Sequence, residues 1–129
     1  MNKVTIIIPT KNEEESLKVL LSEINKLKFK NIICETIIVD ANSTDGTLKI
    51  AKQYQCKIIV EKEKKGYGSA IIEGINNSNS KYAVILDGDG SKNPNYIYDL
   101  FMAIEKRNDD FVFASRYYVQ MLKNRSSVV

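Results

Sequence analysis

Two aspartates separated by one glycine, Asp87-Gly88-Asp89, close an apolar run and are followed by Gly90. Residues two apart in an extended chain point the same way, so both carboxylates converge on one point. Like charges held side by side favour a cation, and Mg²⁺ or Mn²⁺ takes oxygen ligands that it shares with substrate phosphates. Asp and Gly are also turn formers, and taken alone the tetrapeptide reads first as a turn. A calcium-binding EF-hand loop is excluded: its sixth position would be Lys92 in place of glycine and its twelfth Tyr98 in place of glutamate.

Three further clusters follow other apolar runs. Lys64-Lys65-Gly66-Tyr67-Gly68 opens a helical pattern, and a basic, glycine-containing loop at a helix N-terminus suits a diphosphate, although taken alone the glycines read first as a plain loop. A dinucleotide fingerprint is not met, because Ile71 takes the last glycine position and the charged stretch 61–65 separates strand from glycine. A carboxylate at Asp40 is placed to accept the N–H of a nucleobase, while Ser43, Thr44 or Asp45 is placed to cap a helix starting near Thr47. Glu13-Glu14-Glu15 opens another helix, where acids complement the macrodipole; that explains Glu14 and Glu15, whereas Asn12 and Glu13 face the crevice.

The elements that position these clusters are short and regular. Runs at 4–8, 35–40, 57–60, 82–86 and 111–115 are rich in β-branched residues and continuous, the pattern of strands buried on both faces. Between them lie helical spacings: Leu17, Leu20, Leu21, Ile24 and Leu27; Leu48, Ala51 and Tyr54; Gly68, Ile71, Ile72 and Ile75; Ile97, Leu100, Phe101 and Ile104. Alternating strands and helices predict an α/β fold, an open and mostly parallel sheet of about five strands with helices on both faces. The polar and glycine clusters all fall at the carboxyl ends of the strands, the edge where open α/β sheets bind ligands.

Composition narrows the chemistry. The chain has 129 residues, the size of one domain, and no histidine, which excludes Ser-His-Asp triads, Cys-His pairs and zinc-histidine sites. Arg116, Lys123 and Arg125 lie in a C-terminal stretch without acids, and the rest of the chain is charge-balanced, which argues against nucleic-acid binding. Cys34 and Cys56 form no CxxC and read as buried small hydrophobes in a reducing compartment. No secretory signal or 18-residue apolar stretch is present, so a cytoplasmic location is expected, at the membrane face if the basic tail meets anionic lipid. Residues 1–115 read as the folded domain, and 116–129 as a basic, apolar tail that fits no element.

The ordered set IIIPTKNEEESL, IIVDANSTDGT, KKGYGSAIIEG, VILDGDGS and FASRY resembles the nucleotide-binding half of family 2 glycosyltransferases with the GT-A fold, above all polyprenyl-phosphate (dolichyl-phosphate) mannose or glucose synthases. The resemblance runs from residue 3 to about 117. It implies that Pro9, Asn12 and Glu13 line a nucleoside pocket, that Asp40 hydrogen-bonds the base with Asn42 close by, and that Lys65 and Gly66 lie near ribose and diphosphate. Asp87 and Asp89 would be the catalytic, metal-binding DXD motif, Asp89 the principal ligand, with Mg²⁺ or Mn²⁺ as cofactor. Arg116 would meet phosphate, and Arg125 with Ser126 or Ser127 a further phosphate.

Two positions depart from the pattern: Ala41, where a second aspartate is frequent, and Ser91, where a glutamine sometimes assists the metal. The resemblance implies inverting transfer of sugar from a UDP- or GDP-sugar to a polyprenyl phosphate or glycan. Residues 116–129 would be the stub of an acceptor region, with a homodimer through that tail as one way to bury its apolar groups. The alternative is a non-catalytic nucleotide-sugar-binding fragment or subunit. A nucleotidyltransferase would carry a glycine-rich basic loop after the first strand, and PTKNEEE is not one.

Overall fold

A computed structural model describes residues 2–63, 65–107, 111–114 and 119–123. In chain order the elements are β1 (Asn2–Thr10), α1 (Glu14–Lys26), β2 (Ile32–Asp40), α2 (Thr47–Gln53), β3 (Lys57–Val60), α3 (Tyr67–Asn76), β4 (Tyr82–Ile85), a 3₁₀ turn (Pro94–Tyr96), α4 (Ile97–Arg107), β5 (Phe111–Ala114) and β6 (Val119–Lys123). They form one sheet in the order β3-β2-β1-β4-β6-β5. β1, β2, β3 and β4 pair in parallel; β6 runs antiparallel to both β4 and β5. The expected mostly parallel sheet is therefore present, with β6 as a reversed strand inserted between β4 and β5.

That insertion corrects the reading of 116–129 as a tail without an element. Val119–Lys123 is short and mixes polar with apolar residues, so its own pattern is weak. The unpaired edge of β4 supplies its backbone partners, from Tyr82↔Lys123 to Ile85↔Gln120. Met121 is fully buried on one face of the sheet, and Leu122 packs against the core on the other.

Alternation along the strands feeds two cores. Val4, Ile6, Ile8, Ile38, Val84 and Leu86 face a large cluster closed by Leu17 and Leu20 of α1, Ile50 and Ala51 of α2, and Leu100 and Phe101 of α4. Ile7, Ile37, Val39, Ala83 and Ile85 face the opposite side, where Ala70 of α3 covers them. Burying a Leu or Ile side chain is worth about 1.5–3 kcal/mol, so these alternating runs hold the strands in place. α3 sits close to β1 because Gly74 has no side chain: a Cβ there would lie 2.5 Å from Ile7 Cγ2.

Cys34 and Cys56 are free and half-buried rather than fully buried. Burial pushes both thiols up to about 11, so they stay protonated and poorly nucleophilic at neutral pH. Among the described residues no helix is long and apolar enough to cross a membrane.

Candidate functional site

The connections from β1 through β2 to β3 run one way along the sheet, and β4 lies on the other side of β1. Such a topological switch point opens a crevice beyond the carboxyl ends of the strands. A cleft of about 630 Å³ lies there. Pro9, Thr10, Lys11 and Glu13 enter it from the end of β1, and Val39, Ala41 and Asn42 from the end of β2. Glu61, Lys62, Lys65, Gly66, Tyr67 and Ala70 enter from the β3–α3 region, and Asp87 and Asp89 from beyond β4.

The loops after β1 and β2 hold each other. The strands are in register to Thr10↔Asp40, which sets Thr10 Oγ1 to donate to Asp40 Oδ1 at 2.6 Å. The Ser43 amide donates to Asp40 Oδ2 at 2.7 Å and the Ser43 hydroxyl to Oδ1 at 2.6 Å. Asn12, at φ 50°, accepts at Oδ1 from the Thr44 amide at 2.7 Å and the Asp45 amide at 3.3 Å. Lys11 Nζ donates to the carbonyls of Ala41 and Asn42 at 2.9 and 3.1 Å, and the Gly46 amide donates to Glu14 Oε1 at 2.6 Å. Asp45 accepts from the Thr47 amide at 2.9 Å and from its hydroxyl, which holds the Asp45 carboxyl below its usual range.

Two of the expected site residues do not line the cleft. Asp40 is fully buried, its oxygens engaged by Thr10 and Ser43, and it lies beneath the cleft rather than lining it. Asn12 is likewise absent from the lining and serves as the acceptor that shapes the β2–α2 loop. Glu14, read as a dipole partner alone, also binds that loop at Gly46. Pro9, Glu13, Asn42, Lys65, Gly66, Asp87 and Asp89 are brought together in the cleft as expected. Arg116, Arg125, Ser126 and Ser127 lie outside the described residues.

On the far side, the carboxylate pair is held differently at its two members. Asp87 Oδ1 accepts from the Tyr67 hydroxyl at 2.7 Å, and Lys92 Nζ lies 3.7 Å from Asp87 Oδ2. Asp89 Oδ1 accepts from the Ser91 amide at 2.9 Å. The Ser91 hydroxyl and amide, with Lys92 near, keep the Asp89 carboxyl below its ordinary range and therefore ionised at neutral pH. Between the two, Gly88 lies against α1: its carbonyl accepts from Ser16 Oγ at 2.7 Å, and a Cβ there would fall 2.1 Å from Glu13 Oε2.

Glu13 Oε2 is buried without a hydrogen-bond partner. Desolvation raises the Glu13 pKa, and the charges of Asp89, Asp87 and Asp40 add to it. An orphaned carboxylate oxygen beside two more carboxylates is the electrostatic environment a divalent cation relieves. Among the described residues no group of three acids or thiols is arranged as a complete metal cage. The donor set fits a cation held by Asp87 and Asp89 and completed by ligand phosphates and water, the usual habit of Mg²⁺. Lys62 and Lys65 also line the cleft, as does Lys11, whose ammonium is bonded to the Ala41 and Asn42 carbonyls.

Tyr67, Thr10, Lys11, Glu61 and Lys62 were not singled out as site residues from sequence. The signal that carries Tyr67 is its place in the glycine loop opening α3, at the same sheet edge as the aspartates.

The model of one family, Glycosyl transferase family 2, matches residues 5–128. The chain is 35% identical over 119 residues to a dolichol-phosphate mannosyltransferase of Pyrococcus furiosus, covering 89% of this chain and 33% of that protein. It is 32% identical over 106 residues to an uncharacterized glycosyltransferase of Mycobacterium bovis, covering 82% of this chain and 45% of the relative. Its fold matches the crystal structure of S. aureus TarS 1-349 with a TM-score of 0.75 at 25% identity, over 86% of this chain and 34% of the other. It also matches a Pyrobaculum calidifontis mannosyltransferase solved with GDP-Man and Mn²⁺, with a TM-score of 0.77 at 18% identity, over 93% of this chain and 44% of the other. The chain thus spans between a third and a half of the length of these relatives.

Proposed function

Because this chain belongs to glycosyl transferase family 2, we propose that its cleft is the donor site of a metal-assisted, inverting glycosyltransferase. The observation that carries this reading is the juxtaposition, in one cleft at the β1/β4 switch point, of Asp87 and Asp89 with Lys62 and Lys65. A nucleoside diphosphate sugar, UDP- or GDP-linked, has the matching parts: a flat, hydrogen-bonding base, a diphosphate and a sugar. Pro9, Val39 and Asn42, which line the cleft, would receive the nucleoside, and Lys65 with Gly66 the diphosphate. Asp89, with Asp87, would hold Mg²⁺ or Mn²⁺, which when bound neutralises charge on the departing nucleoside diphosphate.

In the transfer, an acceptor oxygen forms a bond to the anomeric carbon. The bond from that carbon to the diphosphate oxygen breaks, and its electron pair leaves on the diphosphate. The lysines orient the diphosphate and stabilise the charge it gains. A polyprenyl phosphate acceptor is already anionic at neutral pH and needs no general base, which suits a chain without histidine. The name of the Pyrococcus relative, a dolichol-phosphate mannosyltransferase, supports a lipid phosphate acceptor. Arg116 and the basic segment after it would serve that acceptor end.

Titration calorimetry with UDP and GDP, with and without Mn²⁺, tests the reading. Binding of one nucleotide strengthened by the cation is expected. Equal affinity with and without Mn²⁺ for both nucleotides overturns the metal-assisted donor site.

A further inference from the structure

We infer that Tyr67 is a positioning residue for the cation site, acting through Asp87 from outside the set of ligands. This deepens the donor-site reading and rests on it. The two aspartates differ in what fixes them. Asp89 is oriented by its own loop, through Ser91 two residues away. Asp87 has Lys92 of its loop 3.7 Å from Oδ2, but its Oδ1 is held from another element, by the Tyr67 phenol of α3, which donates to it at 2.7 Å. A carboxylate oxygen has two lone pairs, so a hydrogen bond to one leaves the other for a cation. Hydrogen bonds of this kind to ligating carboxylates align them and typically change metal affinity by about 10–100-fold.

The local backbone serves this contact. Gly66, at φ +90°, has a conformation that side chains rarely adopt, yet a Cβ added there would touch nothing within 4 Å. Its glycine is therefore required by the turn and not by crowding, and that turn delivers Tyr67 at the first position of α3. Tyr67 also lines the cleft, and it joins the β3–α3 loop, which carries Lys65, to the aspartate pair. Binding at the lysine loop and coordination at the aspartates are thereby mechanically linked.

The test compares wild type with Tyr67→Phe, which keeps the ring and removes the hydroxyl at a half-exposed position. Nucleotide affinity is measured by calorimetry with and without Mn²⁺, using whichever of UDP and GDP the wild type binds, and thermal melting verifies the fold. The expected result is unchanged affinity without metal and a Mn²⁺-dependent gain cut by about tenfold. Loss of equal size with and without Mn²⁺ overturns the inference, because the tyrosine would then touch the nucleotide itself. So does an unchanged Mn²⁺ gain in Tyr67→Phe alongside its abolition in Asp89→Ala, a result that leaves the donor-site reading standing. Absence of any Mn²⁺ effect in wild type removes the donor-site reading, and this inference with it.

Discussion

On one side of the cleft, the loops after β1 and β2 are bonded to each other through Asn12, Lys11, Glu14, Asp40 and Ser43. On the other, the loops after β3 and β4 meet through the phenol of Tyr67, and Asp87 and Asp89, partnered by Tyr67, Ser91 and Lys92, lie near Glu13, whose Oε2 is buried without a hydrogen-bond partner. The first side spends most of its polar groups on internal bonds. The second gathers acids that a cation would neutralise. A bound diphosphate and its cation would complete the second side, whereas the first needs only to present a surface.

Predictions sharpen this contrast in descending size. Asp89→Ala should abolish cation-dependent nucleotide binding, a loss beyond the roughly 100-fold that a mere outer-shell change brings, while thermal stability stays near wild type. Calorimetry beside a melting curve checks it, and a large loss of stability would show that the second side is also scaffold. Asp40→Ala should do the reverse, lowering stability first. Each buried donor left without an acceptor costs about 1–3 kcal/mol, and Thr10 and Ser43 both donate to Asp40. Denaturant unfolding measures this. A stable variant whose nucleotide affinity still drops tenfold would mean that Asp40 reads the base directly.

Asn12→Ala should cost about 1 kcal/mol, the usual worth of a side chain that satisfies loop or helix-end amides. Its signature is faster hydrogen exchange at the amides of Thr44 and Asp45, with smaller effects across the cleft. Glu13→Gln should have the smallest effect and a pH-dependent sign. The folded protein raises the Glu13 pKa, so stability from this group is fully present below the ordinary glutamate value of about 4.3 and is lost as pH rises through the folded value. Glutamine removes that loss: the variant should melt slightly higher than wild type at neutral pH, and the difference should vanish near pH 4. Added Mn²⁺ and nucleotide should shrink the neutral-pH difference by supplying positive charge beside Glu13.

Much of the architecture was legible in the residues. Val4–Ile8 and the run ending at Asp40 announce strands buried on both faces, because only such strands are apolar at consecutive positions. Placing the polar clusters at the ends of those runs located the cleft, and Glu13, Lys65, Asp87 and Asp89 are found together in it. The internal bonds of Asn12 were not legible, because an exposed asparagine beside a cleft looks alike whether it faces a ligand or a neighbouring loop. Those of Asp40 were not legible because its partner Thr10 is 30 residues away, visible once β1 and β2 are in register.

By itself, the sequence determined the first five strands, the four helices and which edge of the sheet carries the chemistry. Burial periodicity is local, and the glycines and acids mark chain ends whatever the fold does beyond them. Tertiary structure alone decided the contacts between distant segments. It placed Val119–Lys123 against β4, whose backbone edge supplies what its weak pattern lacks. It also set Gly88 against Glu13, and turned Tyr67 toward Asp87 across the gap between α3 and β4. Those pairings depend on strand order and helix approach, and no residue's type or spacing encodes them separately from the packing of the whole sheet.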